Sequence, residues 1–407
     1  MNEIFKNKIK LNNVPWRNRI DLKNIIKIIG KKNIKLVGGV VRDAVKGDKI
    51  KDIDLTTSIV PSKIKNLFSD KDYKIIDFAE DHGVLLVVSK KYEYQVTTLR
   101  QDINSDGRYA KVKFTTNFLE DSNRRDFTIN ALYSDFEGNV YDPQGGLLDL
   151  DQAKIRFIGD PSVRIKEDYL RILRYFRFLS YYTHDLKQID QPSMRACIDN
   201  AENIKKISRE RISNEFLKLI EGKNCVLSLN IMKENNILNL ISNDLNNVSK
   251  ESLMKLETLP KNKNIRLAFL IIGSKIDYLK VSADLKLSNK VKKLLKILIS
   301  NQSLVFTKKN IGRHLYFFGR FNVKYIYIIN SVFSGKKLNE SIIKIIDLWK
   351  SPIFPLTGSD VIQYGIKEGK RVGDILNAVK IWWIEKNFKN NREDCLKKMK
   401  KILIIKN

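Results

Sequence analysis

The stretch LVGGVVRD at residues 36–43, with KDIDLTT at 51–57 close behind it, decides how the first third of this chain reads. Ile34–Val37 is an apolar run with strand character, and two glycines close it before a segment of helical pattern. Glycine lets the backbone approach a ligand closely, and free N–H groups at a helix start bind phosphate, so Gly38 and Gly39 are candidate binding residues. Arg42, three residues after Gly39, can pair with the same phosphate oxygens. The spacing fits neither the P-loop nor the GxGxxG turn. In KDIDLTT the alternation predicts a second strand over Ile53–Thr56. A strand has a period of two, so Asp52 and Asp54 share a face while Ile53 turns to the core. Two adjacent carboxylates repel unless a cation sits between them. Hard ions such as Mg²⁺ take carboxylate oxygens, and two such ions clamp both ends of a phosphoryl displacement. Alone, the two aspartates also read as a solvated strand end; the glycine turn upstream favours the metal site.

Composition bounds the rest. A chain of 407 residues is too long for one compact core, so two or more domains are expected. A hydrophobic content of 43% is that of a folded soluble protein. Lys and Arg number 75 against 46 Asp and Glu, and the net charge of +29 points to a polyanionic partner, nucleic acid first. Compositional drift toward Lys, Ile and Asn is the other source of such charge. Cys197, Cys225 and Cys395 lie far apart without CxxC spacing, and His82, His184 and His314 are as scattered. That pattern argues against a zinc site and a disulfide framework, and fits a reducing, cytoplasmic setting. No charge-free run approaches the length of a membrane span, so no membrane partner is expected. The N-terminal MNEIFKNKIKLNNVPWRNR is basic but lacks the apolar core of a signal peptide; a transit peptide is the alternative reading.

Ten of the 19 glycines precede residue 160, and Pro260 is the only proline between 193 and 351. The first third therefore reads as strands, turns and short helices, and the long middle as helix. Val84–Val88 and Tyr92–Thr98 are further strand candidates. Tyr169, Ile172, Leu173, Phe176 and Leu179 recur at helical spacing, and Leu267–Ile272 and Val291–Ile299 read as buried helix faces. Pro352 and Pro355 break the helical pattern before TGSDVIQYGIKEGKRVGDIL, which places a boundary near 350.

Gly-Gly followed by Asp-x-Asp is a pattern of the polymerase-beta-like nucleotidyltransferases. Further stretches follow in order: TTLRQDINSDGRYAKVKF (97–114), RRDFTINALY (124–133), DPQGGLLDL (142–150), EDYLRILRYFRF (167–178) and ISRERISNE (207–215). With them the chain closely resembles the class II tRNA nucleotidyltransferases, the CCA-adding enzymes and their poly(A) polymerase relatives. The detailed motifs span roughly residues 35–220. The resemblance implies an α+β fold of seahorse-like outline: a mixed-sheet head (1–148), then an all-helical neck (149–220), body (221–350) and tail (351–407). It implies Mg²⁺-dependent, template-independent addition of C, C and A to tRNA from CTP and ATP, with no obligatory protein partner. By motif match Asp52 and Asp54 hold the metals, while Gly39 and Arg42 meet the triphosphate. Arg125, Asp126 and Asn130 handle the ribose and position the nucleotide; Glu167, Asp168 and Arg171 read the base, and Arg174 and Arg177 continue the arginine series.

The base-reading role has a physical basis. Asp168 and Arg171 are three apart in a helical segment and would share a face. Aspartate accepts hydrogen bonds and arginine donates them. Cytosine and adenine present an amino group beside a ring acceptor, whereas uracil and guanine place a carbonyl where the amine should be. A mismatch leaves a buried polar group unpaired, at about 1–3 kcal/mol per group. A surface salt bridge is the structural alternative for this pair.

One departure from the family pattern is Gln95, in YEYQVTTLR, where relatives often place Glu; Glu93 lies two residues earlier on the same strand face. Glutamine carries no charge and cannot act as a base. Either the third carboxylate is dispensable, or Glu93 substitutes for it, or activity is reduced; the first is preferred because Asp52 and Asp54 can hold the metals. The polar Arg100–Thr116 segment, with Asp106-Gly107-Arg108, resembles a complete flexible loop and favours full CCA addition over CC addition. A poly(A) polymerase or A-adding enzyme is the runner-up. A non-catalytic RNA-binding module is the remote alternative, opposed by the intact Asp52, Asp54, Asp126, Asp168 and Arg171. KKNIGRHLYFFGR (308–320) reads as an RNA contact strip or as a helix with a solvated cationic face. Gly365, Gly369 and Gly373 with Lys370 read as a close approach to RNA or as helix caps.

Overall fold

The computed structural model describes residues 8–106 and 109–405. The first seven residues of the basic N-terminus and Gly107-Arg108 of the polar segment lie outside the described residues. The chain divides into two compact units, Met1–Asn247 with Ala283–Lys286, and Val248–Ser282 with Leu287–Asn407.

The first unit carries all the strands: β1 (Lys8–Lys10), β2 (Ile34–Val37), β3 (Asp54–Thr57), β4 (Lys74–Ala79), β5 (Val84–Val88), β6 (Glu93–Thr98), β7 (Arg100–Asp106), β8 (Tyr109–Phe114), β9 (Tyr133–Ser134) and β10 (Asn139–Tyr141). Eight form a mixed sheet in the order β1-β10-β9-β2-β3-β6-β5-β4, and β7 pairs with β8 in a separate hairpin. The polar segment Arg100–Thr116 is thus largely this hairpin. Pairing of β3 with β6 is parallel and sets Asp54 beside Gln95. The β2–β3 pairing is antiparallel, with Leu36 opposite Leu55. Leu36, Leu55, Leu85, Val87, Tyr94 and Val96 of the sheet are fully buried, as are Leu22 and Ile25 of the helix Ile20–Ile29.

β2 and β5 occupy the expected spans, and β6 starts one residue later than expected. The second predicted strand is displaced. It runs over Asp54–Thr57, so Asp52 stands outside it. On the β2 side, pairing stops at Val37, where the backbone turns at Gly38.

After the sheet come helices, including Pro161–Glu167, Leu170–Tyr182 and Arg209–Leu219. Ile172, Leu173, Phe176 and Leu179 are buried, as the spacing predicted, and Tyr175 is buried with them; Tyr169 precedes the helix and is only partly buried. An aromatic cluster joins the two halves of this unit. Phe127 lies 4.8 Å from Phe157 and 5.2 Å from Phe178 between ring centroids, and Phe157 stacks on Tyr175.

The second unit is helical among the described residues. One core gathers Ile311, Leu315, Val323, Ile342 and Ile346. Another gathers Leu356, Val361, Val372, Ile375, Val379 and Trp383 with Cys395 and Met399. Within 308–320, Ile311 and Leu315 are buried and Tyr316 packs on Trp383, while Phe317 is exposed. Gly369 caps the start of the helix Lys370–Glu385. Among the described residues, no helix is long and apolar enough to cross a membrane.

Candidate active site

Gly38 has φ 72° and ψ −123°, a conformation that side chains with a Cβ rarely adopt. Its N–H donates to the Leu132 carbonyl at 2.9 Å, and its own carbonyl accepts from the N–H groups of Val41 and Arg42. The helix Gly39–Lys46 therefore starts at the end of the sheet, with no acidic residue in its first turn to neutralise it. Continuing the β2–β3 register by one step sets Asp54 opposite Val37, one residue from that turn.

Asp52 and Asp54 flank Ile53, which is 5% exposed, and both keep surface to solvent. Neither joins an ion pair among the described residues. The protein atoms crowding Asp54 push its pKa above the ordinary carboxylate value; Asp52 adds to the rise and Arg125 opposes it. No group of three or more His, Cys, Asp or Glu able to hold a metal exists among the described residues. Two unneutralised carboxylates nonetheless fit a divalent ion of the Mg²⁺ kind, which binds through one or two carboxylates and completes its shell with water and substrate phosphates.

The RRDFTIN motif forms the neighbouring wall. Asp121 is buried and pairs with Arg124 at 2.7 Å and Arg125 at 3.0 Å. Burial alone would raise its pKa, but the two guanidiniums outweigh it and bring the carboxyl down to about 2. Arg125 also donates to the Tyr133 hydroxyl. Asp126, 8% exposed, accepts from Arg174, from Asn130 at 2.9 Å and from the Phe127 N–H at 2.9 Å. Burial again works against ionisation and Arg174 again wins, so Asp126 stays well below the usual carboxylate range. Asn130 in turn accepts from Arg42 at 2.5 Å. Arg42 is held further by Asp43 at 2.9 Å and lies against the rings of Tyr182 and Phe178. A continuous chain thus runs Arg42–Asn130–Asp126–Arg174 from the glycine turn to the long helix.

The base-reading pair needs correction. Asp168 is not in a helix: it takes φ −154° at the break between Pro161–Glu167 and Leu170–Tyr182. It therefore shares no helical face with Arg171. Its carboxylate accepts from the Leu170 N–H at 3.1 Å and pairs with Arg211 at 2.8 Å. Arg171 uses one nitrogen, Nη1, to reach Glu167 at 2.5 Å and the Arg164 carbonyl at 2.6 Å. Arg174 and Arg177 do continue along the helix, but with structural partners: Asp126 for the first and Glu215, at 2.9 Å, for the second. Arg164 ties this region to the RRD motif by donating to the carbonyls of Arg124 and Arg125. Asp121, Arg164, Arg211 and Glu215 were not singled out from sequence. Arg211 and Glu215 lie in the quoted ISRERISNE stretch, where no role was given them, and Asp121 stands three and four residues before the arginines it binds. Gln95 sits beside Asp54, and Glu93 at the start of the same strand.

Comparison with known proteins follows the same lines. Residues 34–156 match the poly(A) polymerase head domain family, and residues 188–248 match a family described as a probable RNA- and SrmB-binding site of polymerase A. The human mitochondrial CCA tRNA nucleotidyltransferase 1 is 29% identical over 402 residues, 93% of this chain and 90% of that one. A Geobacillus CCA-adding enzyme is 31% identical over 373 residues, covering 88% of this chain and 90% of its own. The crystal structure of the Bacillus stearothermophilus CCA-adding enzyme in complex with CTP superposes with a TM-score of 0.76 at 24% identity, over 97% of this chain and 99% of that one. The α+β sheet unit with its helical continuation is the fold of those enzymes. Ordered motifs, shared fold and full-length similarity lead to one conclusion: the chain belongs to the family of CCA tRNA nucleotidyltransferases and poly(A) polymerases, and is a nucleotidyltransferase.

Proposed function

We propose that this protein adds C, C and A to the 3′ end of tRNA, using CTP and ATP without a nucleic-acid template. The observation that carries the reading is the unneutralised Asp52–Asp54 pair beside a glycine-initiated helix, in a chain similar to enzymes named for CCA addition over about nine-tenths of both lengths. Asp52 and Asp54 hold Mg²⁺, which when bound supplies positive charge at the reacting phosphate. Gly38 makes the turn that starts the helix, Gly39 presents its backbone N–H there to the triphosphate, and Arg42 stands beside it in a fixed orientation. Arg125, Asp126 and Asn130 hold the sugar side of the nucleotide. Asp168 accepts and Arg171 donates along the base edge. Glu167 and Arg211 fix the two side chains in place of the shared helical face, and Arg171 keeps Nε and Nη2 without a protein partner among the described residues. The three cysteines, all free and buried, support a reducing, cytoplasmic setting.

The test uses purified protein, Mg²⁺ and a tRNA transcript ending at its discriminator base. CTP, ATP, both, UTP or GTP are supplied, and products are resolved to one nucleotide. CCA with a clean stop is the expected result. Long A-tails without C would make the protein a poly(A) polymerase. A single A, added only to tRNA already ending in CC, would make it an A-adding enzyme. No product from protein that still binds tRNA would make it an RNA-binding module.

A further inference from the structure

A second opening reaches Asp52 from a direction that the nucleotide residues do not line. It is a cleft of about 550 Å³ between residues 51–53 and the turn joining β5 to β6. Arg19, Lys51, Lys90 and Lys91 supply its cations, and Asp52 and Glu93 its carboxylates. Gly38, Arg42, Arg125 and Asn130 are absent from its walls. Lys51 and Lys91 are exposed and form no ion pair among the described residues. Lys90 pairs with Asp72 at 2.6 Å, but with side chains 82% and 79% exposed, water and salt weaken that pair.

The turn is a built structure. Ser89 donates to Asp21 at 2.8 Å, and its N–H donates to the Tyr92 carbonyl. Tyr94 donates to the same Asp21 carboxylate at 2.8 Å. Arg19 lies 4.1 Å from the centre of the Tyr92 ring, which is 41% exposed at the rim. A basic groove beside an aromatic ring is how single-stranded nucleic acid is held: cations follow the phosphates and a base stacks on the ring.

Nucleotidyl transfer must bring two substrates to the Asp52–Asp54 pair. The nucleotide takes the side of Gly38, Arg42 and Asn130. We infer that the Arg19–Lys51–Lys91 cleft takes the other substrate, and that it binds the backbone phosphates of the single-stranded RNA leading to the reacting 3′ end, with Tyr92 as a stacking rim. This rests on the reading of the chain as an RNA-extending transferase.

The experiment is a kinetic comparison of wild type with the double variant Lys51→Ala/Lys91→Ala. Loss of two phosphate contacts should raise KM for tRNA about tenfold and reduce the slope of log KM against log salt by roughly 1.4, about 0.7 per contact. KM for CTP and ATP and the inhibition by pyrophosphate should not move. Lys51→Arg/Lys91→Arg should restore the wild-type values, which a local folding defect would not permit. An unchanged KM for tRNA overturns the inference. So does a shift confined to CTP, ATP or pyrophosphate, which would assign the cleft to nucleotide phosphates. Equilibrium binding of a fluorescent single-stranded oligoribonucleotide ending in CC separates this from failure of the functional reading. If wild type adds no nucleotide but the alanine variant still binds the oligonucleotide more weakly, the activity fails and the cleft stands. Equal binding by the two proteins overturns the cleft.

Discussion

Arg125 pairs with Asp121 and also acts on Asp54, yet the protein treats the pairs Asp52–Asp54 and Asp121–Asp126 in opposite ways. Asp121 and Asp126 are buried, and arginines answer each one. Their pKa values fall below the ordinary range although burial works the other way. Asp52 and Asp54 face solvent with no ion-pair partner among the described residues, and Asp54 is pushed up. A carboxylate whose charge is balanced inside the protein holds the wall of the site together. A pair left unbalanced at the head of a strand is costly until something cationic arrives. Under the proposed function, the charge environment, more than the residue type, divides scaffold from chemistry in this unit.

Removing the unbalanced pair should have the largest effect. In Asp52→Ala/Asp54→Ala, nucleotide addition should fall by at least roughly 10²–10³-fold, the loss seen when a single preorganised transition-state contact is deleted. Thermal unfolding in EDTA should stay cooperative near the wild-type Tm. Loss of fold together with activity would erase the distinction between the pairs.

The balanced pair should show the reverse pattern. Asp121→Asn keeps the shape but leaves Arg124 and Arg125 facing a neutral amide. Breaking a buried ion pair from one side costs about 3–5 kcal/mol, readable by urea denaturation. The same residue gives a pH signature. Its folded pKa of about 2 lies below the ordinary aspartate value near 3.9, so the unfolded chain binds more protons between the two. The stabilisation, roughly 2 kcal/mol, is fully present above about pH 4 and is lost as pH falls toward 2. Asp121→Asn should flatten that part of the stability curve; an unchanged acid limb would show that Asp121 does not carry it.

These contrasts also mark what a reader of the sequence can see. Apolar runs revealed β2 and β5, which are largely buried, and most of β6 was visible in its residue types, where every second residue is buried. Gly38 was legible because only glycine suits its backbone. The start of β3 was not: it comes one residue later than the residue types suggest. Arg177 with Glu215 and Arg211 with Asp168 lie 38 and 43 residues apart, and no local pattern announces such pairs. The helix break at Asp168 did carry a signal. Aspartate favours caps over helix interiors, and here it accepts from the N–H two residues on. The reading of Asp168 and Arg171 as one helical face overlooked it.

That correction can be tested through specificity. If Asp168 accepts from the base amine while Arg211 holds it, Asp168→Asn should cost about 1–3 kcal/mol of discrimination for C and A over U and G, roughly 10–100-fold in relative kcat/KM. Arg211→Ala should give part of that loss, by freeing Asp168 to move. Unchanged selectivity in Asp168→Asn would assign Asp168 to the helix break alone.

The smallest effect concerns Asp54 by itself, and it has the opposite sign to Asp121. Asp54 resists ionisation in the fold because protein atoms crowd it and Asp52 is negative. A raised folded pKa means that the native state binds the proton more tightly. Stability then falls as pH rises past the ordinary aspartate value, and the penalty is complete at neutral pH. Asp54→Asn removes it without changing the shape. In EDTA at pH 7 the variant should be slightly more stable than wild type, within about 0.5 kcal/mol for a side chain still open to water. The gap should close as pH falls below about 4, where wild type is protonated too. Added Mg²⁺ should raise the wild-type Tm and leave the variant nearly unmoved, because only the intact pair offers the ion two charges. A variant less stable than wild type in EDTA would place Asp54 with Asp121 and Asp126, among the carboxylates that hold the fold.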